Sequence, residues 1–320
     1  MTIQFIVLLL SLAFVVFGAD LLVDGASALA RKAGISEFVI GLTIVGFGTS
    51  CPELVVSLTG AIQGNADISV GNVLGSNIFN TLLVLGLTAL LMPVAVTREN
   101  RRRDIPIMLL VTFLLIATGM SRTLFGIGES DSLTFAEGVA FLLIFVLYLI
   151  FSFKTDSGFS ADESASVKEM KVWAASGLTL LGLAMLTVGG HYFVESAENL
   201  ARAFGVSDKF IAVTLLAGGT SLPELATSIV AAAKKKSQLA LGNILGSNVF
   251  NILLILGISA LVNETSFAGI SLVDAVALIA SAVCVWLWSY TGHKDRIDRW
   301  EGALMLAGFV AYYLYLFGVI

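Results

Sequence analysis

Gly48-Thr49-Ser50-Cys51-Pro52-Glu53 returns 171 positions later as Gly219-Thr220-Ser221-Leu222-Pro223-Glu224, and each copy sits inside an otherwise apolar segment. A second block keeps the same offset. Gly71-Asn72-Val73-Leu74-Gly75-Ser76-Asn77-Ile78-Phe79-Asn80 answers to Gly242-Asn243-Ile244-Leu245-Gly246-Ser247-Asn248-Val249-Phe250-Asn251. The match runs without a gap from Asp24/Glu195 through Gly34/Gly205, Ser36/Ser207, Thr43/Thr214, Ser57/Ser228 and Gly86/Gly257. Chance similarity between apolar helices would not hold polar residues in register so long. The chain is two copies of one unit, and each copy places a glutamate where a membrane disfavours it. A charge at the centre of a membrane helix costs about 2.5–3.5 kcal/mol on insertion scales, so such residues are first read as functional.

The composition sets the class. Hydrophobic residues make up 57% and charged residues 13%, with a mean hydropathy of +0.95. A soluble domain carries about 25% charged residues, so this chain reads as a polytopic, all-α membrane protein. The net charge of −5 says little about partners, because most charges fall in short loops. Nothing points to nucleic acid or to a protein partner. Cys51 and Cys284 lie in apolar segments without metal-ligand spacing, which supports neither a disulfide framework nor a zinc site. The run from Met1 to Ala19 has no basic residue before it, unlike a cleaved signal peptide, and reads as the first span.

Apolar runs of about 20 residues mark spans. They fall near 3–30, 36–62, 68–92, 104–121 and 132–153, then 170–202, 207–233, 238–262, 270–290 and 300–319. That makes ten, the first and sixth longer than a bilayer needs. The polar stretch 154–169 reads as a cytoplasmic linker between a first repeat, 1–153, and a second, 170–320. Of the 18 Lys and Arg residues, 15 collect on one side and three (Arg122, Arg202, Lys209) on the other. The richer side is cytoplasmic by the positive-inside rule, which puts both termini outside. Five spans per half is odd, so the second half crosses in the opposite sense. Inverted repeats of this kind build many secondary transporters, with the substrate site at the midplane between them.

Helical spacing puts Thr49 and Ser50 on the face of Glu53, four and three residues before it. Pro52 has no amide hydrogen and clashes with the carbonyl four residues back, freeing and bending the backbone at Gly48. The second copy supplies Thr220, Ser221 and Glu224 with carbonyls near Ala217 and Gly219. In the next spans Ser76 and Asn80, and Ser247 and Asn251, are likewise four apart. All these donors are oxygen, the preference of hard cations such as Ca²⁺ and Na⁺ and not of zinc or copper. Two glutamates neutralise one Ca²⁺, or face two or three Na⁺ that hydroxyls and carbonyls also bind. The two cations then compete for one site, which is the basis of exchange. Mg²⁺ fits less well, since it holds its waters and demands tight octahedral geometry.

Plainer readings cover the remaining features. The glycines at Gly71/Gly75 and Gly242/Gly246 are small-xxx-small packing. Asn77 and Asn248 serve equally as interhelical glue or as ligands. Asp24, Glu195 and Glu198 are structural or solvated charges near span ends. Lys234-Lys235-Lys236 is an orientation signal, and His191 and His293 carry no assigned role. Asp162–Glu163 is too short a run for a calcium-sensing domain.

At the two repeated blocks the chain resembles the cation/calcium exchanger superfamily, in particular its compact prokaryotic sodium/calcium antiporters. The resemblance extends over the whole chain. It implies alternating access, in which the first and sixth spans slide against the other eight, and four cation sites arranged in a diamond. Carried onto matching positions, it implies Ca²⁺ at Glu53 and Glu224 with backbone oxygens of Thr49 and Thr220. It implies Na⁺ at Ser50, Ser76, Ser221 and Ser247 with the carbonyls of Gly46 and Ala217, while Asn80 and Asn251 complete the polar belt. Asn251 stands where potassium-dependent relatives carry aspartate, which implies K⁺ independence. The proton/calcium branch uses a different repeat motif, of the G-N-x-x-E type. The expectation is an electrogenic Na⁺/Ca²⁺ antiporter with no cofactor and no enzyme activity. A proton-coupled divalent-cation exchanger is the first rival, and a passive channel the second.

Overall fold

The computed structural model describes residues 2–156, 158, 169–205, 217–293 and 295–318, less the side chains of 66, 67 and 217. Most of the expected linker 154–169, the first part of the expected span 207–233, and Ser207, Lys209, Thr214 and Lys294 therefore lie outside the described residues. The described chain is mostly helical. In its first half α1 is Thr2–Ala33, α2 Glu37–Thr49, α3 Cys51–Ile62, α4 Ile68–Leu91, α5 Ile105–Gly119 and α6 Phe135–Lys154. In the second, α7 is Val172–Ala203, α8 Leu222–Ala233, α9 Ser237–Val262, α10 Leu272–Trp288 and α11 Arg299–Leu316.

Among the described residues five helices (α1, α4, α6, α7 and α9) are long and apolar enough to cross a membrane, and the bent pair α2–α3 makes a sixth. α1 and α7 are each 32 residues long, about 48 Å at 1.5 Å per residue, which exceeds a hydrocarbon core of about 30 Å. The all-α expectation misses two small ladders. Val94–Ala95 (β1) pairs antiparallel with Arg296–Ile297 (β4), and Ser132–Leu133 (β2) with Thr265–Ser266 (β3). Two-residue strands carry no alternating pattern to read. They join loops of opposite halves, a contact that only the tertiary fold creates.

Local chemistry starts the helices. Ser36 accepts a hydrogen bond from the amide of Val39 at the head of α2, and capping boxes open α6 (Thr134, Glu137), α10 (Ser271, Asp274) and α11 (Asp298, Glu301). Each satisfies amides that the first turn leaves orphaned. Three of the inner segments change winding to π: Gly41–Val45 in α2, Phe79–Leu85 in α4 and Asn251–Ile255 in α9. Such stretches are rare and frequent at functional sites.

Packing sorts the helices into an inner and an outer set. In α4 and α9 the most apolar window is 78% and 83% buried, against 33% and 28% in α1 and α7. Leu42, Leu85, Ile105, Met108, Leu115 and Phe141 form the buried heart around the inner helices. α1 and α7 pack tightly on each other while turning residues such as Leu9, Leu10, Trp173 and Leu180 outward. The approach is close enough that a Cβ on Gly25 would lie 2.6 Å from Thr179 Oγ1. A glycine at that point lets the two backbones meet.

Candidate cation site

The span expected at 36–62 is broken at its middle. α2 ends at Thr49, Ser50 leaves helical geometry with φ −84 and ψ 6, and α3 restarts at Cys51 with Pro52 in its first turn. The two axes differ by 47°. The second copy repeats this, with Ser221 at φ −89 and ψ 8 and Pro223 opening α8. Proline is tolerated in a first turn because the amide it lacks would be orphaned there anyway. Glu53 and Glu224 consequently stand in the first turns of α3 and α8, where helix dipoles favour a carboxylate.

Both glutamates are fully buried, and the two halves share them. Ser221 Oγ donates to Glu53 Oε1 at 2.9 Å, and Ser50 Oγ donates to Glu224 Oε1 at 2.9 Å. Each carboxylate also takes a hydroxyl from the neighbouring inner helix of its own half: Ser76 to Glu53 at 3.3 Å and Ser247 to Glu224 at 3.4 Å. Among the described residues, Oε2 of each glutamate is buried with no hydrogen-bond partner. Among the described residues no Lys or Arg reaches either carboxylate, and no cluster of three or more His, Cys, Asp or Glu exists. Buried anionic oxygens without donors are costly unless something positive meets them.

The crossing of the serines corrects one expectation. Ser50 was placed beside Glu53 by helical spacing, but the break at Ser50 turns its hydroxyl toward Glu224 of the other half. Thr49 Oγ1 likewise leaves its own Glu53, donating to Asn243 Oδ1 at 3.1 Å and to the Gly46 carbonyl at 3.3 Å. Spacing rules hold only along an unbroken helix. The Gly46 carbonyl also accepts from Ser247 Oγ at 3.4 Å, which brings this expected ligand into the same cluster. Ala217 opens the short turn Ala217–Gly219 directly before Thr220.

Four residues that sequence reasoning left out of the site support it from behind. Asn72 Nδ2 donates to the Glu53 carbonyl at 3.1 Å and to Ser57 Oγ at 3.0 Å. Asn243 Nδ2 donates to the Glu224 carbonyl at 3.5 Å and to Ser228 Oγ at 3.0 Å. The signal was present, since all four recur at the common offset, but their role depends on how α3 packs on α4 and α8 on α9.

One turn farther along the inner helices lie the asparagines. Asn251 Nδ2 donates to Asn77 Oδ1 at 3.0 Å, Asn77 Nδ2 to the Asn248 carbonyl at 3.1 Å, and Asn248 Nδ2 to Thr81 Oγ1 at 2.8 Å. Asn80 is buried, and among the described residues neither amide atom has a partner. Among the described residues neither Asn80 nor Asn251 bonds the serines or the glutamates, although they stand four residues beyond Ser76 and Ser247.

The lysine run makes specific contacts across the fold. Lys236 is buried in an ion pair with Glu37 at 2.9 Å, and Lys234 lies 2.7 Å from both Asp20 and Asp24 of α1. A charge count cannot see such pairs, because their partners lie some 200 residues away in the chain.

Comparison with known proteins agrees with the duplicated carboxylate blocks. The family model described as sodium/calcium exchanger protein matches residues 3–154 and 174–318. The chain belongs to that family. It is similar to the sodium/calcium exchanger MaX1 of Methanosarcina acetivorans, at 35% identity over 99% of each chain. It is also similar to the inner membrane protein YrbG of Escherichia coli, at 35% identity over 95% of this chain and 94% of that one. Among solved structures, the sodium-calcium exchanger NCX_Mj soaked with zero Na⁺ and Ca²⁺ superimposes with a TM-score of 0.83 at 32% identity, covering 99% of this chain and 100% of that one. This exchanger-family chain is thus a transmembrane antiporter of the prokaryotic cation/calcium type, and cation/Ca²⁺ exchange is its activity class.

Proposed function

We propose that the chain exchanges Na⁺ for Ca²⁺ across a prokaryotic cytoplasmic membrane by alternating access, moving net charge and needing no K⁺. The observation that carries this reading is the pair of buried glutamates, each held by a serine of the opposite half and each keeping one carboxylate oxygen without a donor. A charge of −2 matches one Ca²⁺ without surplus. The surrounding hydroxyls, amides and carbonyls suit Na⁺ when Ca²⁺ is absent. In this reading Glu53 and Glu224 bind Ca²⁺ with the backbone oxygens of Thr49 and Thr220. Ser50, Ser76, Ser221 and Ser247, with the carbonyls of Gly46 and Ala217, take Na⁺, and Asn80 and Asn251 close the belt. Both ions are cargo, and the reading includes no resident cofactor.

The same reading takes the chain as ten spans in two inverted halves, 1–153 and 170–320, joined by 154–169 in the cytoplasm with both termini outside. Support comes from the odd number of apolar runs per half and from the one-sided lysines and arginines. Moving one net charge inward is worth about 2.3 kcal/mol per 100 mV, so an inside-negative potential aids Ca²⁺ extrusion.

The test is ⁴⁵Ca²⁺ uptake into proteoliposomes loaded with Na⁺ and diluted into buffer free of Na⁺ and K⁺ at clamped pH. Uptake that requires internal Na⁺ is the expected result. Uptake that ignores Na⁺ and follows an imposed pH gradient would make the protein a proton-coupled exchanger. Asn251→Asp is expected to introduce K⁺ dependence, and an unchanged response to K⁺ would remove that part of the reading.

A further inference from the structure

The first and sixth spans, α1 and α7, meet the other helices unequally. Among the described residues α1 lies along α8, whereas their equivalents α7 and α3 hardly touch. α8 and α3 end on equivalent residues that differ in charge, Lys234 and Gln63. Lys234 Nζ lies 2.7 Å from Asp20 Oδ1 and 2.7 Å from Asp24 Oδ1, and donates to the Asp20 carbonyl at 3.2 Å. All three acceptors belong to α1, and the two carboxylates stand one helical turn apart on one face. At the other end the equivalents of the aspartates are His191 and Glu195, 4.0 Å apart and mostly exposed, and Gln63 is exposed too. α1 and α7 are also locked to each other: a Cβ on Gly182 would lie 2.6 Å from the Gly18 carbonyl. Together they cover the bends. A Cβ on Gly48 would lie 2.5 Å from Leu183 of α7, and one on Gly219 would lie 2.4 Å from Val194. Whatever fixes α1 along its axis therefore fixes what stands over the segments that carry Glu53 and Glu224.

We propose that Asp20, Asp24 and Lys234 form a one-sided latch, which holds the α1–α7 pair closed on α8 and makes this the resting state of the transporter. The proposal rests on the alternating-access reading above, in which the pair moves against the other spans. Sliding α1 along α8 by one turn leaves Nζ within reach of at most one of the two carboxylates, so the bridge is made in this state and halved or lost in the other. When the pair closes on α3 instead, the residue that meets it is the neutral Gln63, and no ion pair replaces the one given up. Only an interaction that differs between two states shifts the balance between them. The buried Lys236–Glu37 pair has no such effect, since it joins α2 to α9 within the part that stays still. Lys234 belongs to that still part and both aspartates to the moving one. Asp20, Asp24 and Lys234 are positioning residues in this scheme, acting on the spans and touching neither Glu53 nor Glu224.

The experiment measures a distance by double electron–electron resonance on the full chain in nanodiscs without Na⁺ or Ca²⁺. Spin labels go on Lys32→Cys, near the end of α1, and Glu129→Cys, exposed in the loop before α6, with Cys51 and Cys284 replaced by alanine. Asp156, just beyond α6, accepts from the amide of Ser36, just beyond α1. Position 129 thus lies at the far end of α6, and movement of α1 along its axis changes the distance directly. Lys234→Gln is expected to lower the ratio of the parent distance to a second one about two- to fivefold, the share that a partly exposed ion pair carries. The side chains of Asp20 and Asp24 are 48% and 27% exposed, so water can meet them in that variant. Lys234→Arg keeps the charge and should keep the parent ratio. Adding Gln63→Lys to Lys234→Gln gives the opposite side the cation and should lower the ratio further. If Lys234→Gln does not fold, Asp20→Asn with Asp24→Asn carries the same expectation. An unchanged distribution overturns the latch, and so does mere broadening around the parent distance, which is local loosening. Distances are read without transport, so a parent protein that fails to couple Na⁺ to Ca²⁺ sinks the exchange reading and not the latch. Normal coupling with an unmoved distance sinks the latch alone.

Discussion

In the carboxylate layer the first half and the second are interchangeable. Ser221 to Glu53 and Ser50 to Glu224 are both 2.9 Å, and Asn72 to Ser57 and Asn243 to Ser228 are both 3.0 Å. In the layers beside it they are not. Asn251 holds Asn77, while among the described residues Asn80 holds nothing. A site that must look the same from either side of a membrane is best built from equal contributions. A protein resting in one of two states must have unequal contacts somewhere. Some of that inequality is written in the sequence: Thr81, which serves Asn248, is answered by Ile252, and Lys234, which pairs with Asp20 and Asp24, by Gln63.

The strongest way to break the symmetric layer is to remove one charge. Glu53→Gln and Glu224→Gln are each expected to bring Ca²⁺ uptake in proteoliposomes to background, and near-normal exchange in either would separate the two halves. Next come the crossing serines. A hydrogen bond to a charged group contributes about 1.5–3 kcal/mol, so Ser50→Ala and Ser221→Ala should each lower apparent Ca²⁺ affinity roughly 10- to 100-fold. Effects of equal size confirm that the layer is shared equally, and a large difference would show that one half dominates.

The close approach of α9 to α2 is the next target. Gly242→Ala drives a methyl into the Phe38 carbonyl, an overpacking that costs about 1–3 kcal/mol, and should lower the melting temperature of the purified protein. Smallest is Thr81→Val. It leaves Asn248 Nδ2 with Met108 Sδ at 3.6 Å, and is expected to cost about 1 kcal/mol, with Thr81→Ser recovering most of it in the same melting assay.

Much of this was legible beforehand because membranes penalise polarity so strongly. The duplicated blocks, the glutamates, the serines four residues before the asparagines and the long first and sixth spans all stand out against an apolar background. Less legible were contacts whose partners belong to different copies. Ser50 was expected beside Glu53, and its bond to Glu224 exists because the chain breaks at Ser50 and the two bends meet. Lys236 was expected as an orientation signal, and its burial against Glu37 needs the head of α2 and the head of α9 in one place. Ser76 reaches Glu53 while Asn80, four residues on, does not, a difference that spacing along one helix cannot show.

The sequence by itself determined the class, the duplication and the list of oxygen donors, since each follows from local composition and a constant offset in the chain. Tertiary structure alone decided which half serves which carboxylate and which of two equivalent asparagines, Asn251 or Asn80, finds a partner among the described residues. Those are relations between segments nearly 200 residues apart, set by how two bent spans and two inner helices pack. Two identical sequences cannot say which copy makes the bond.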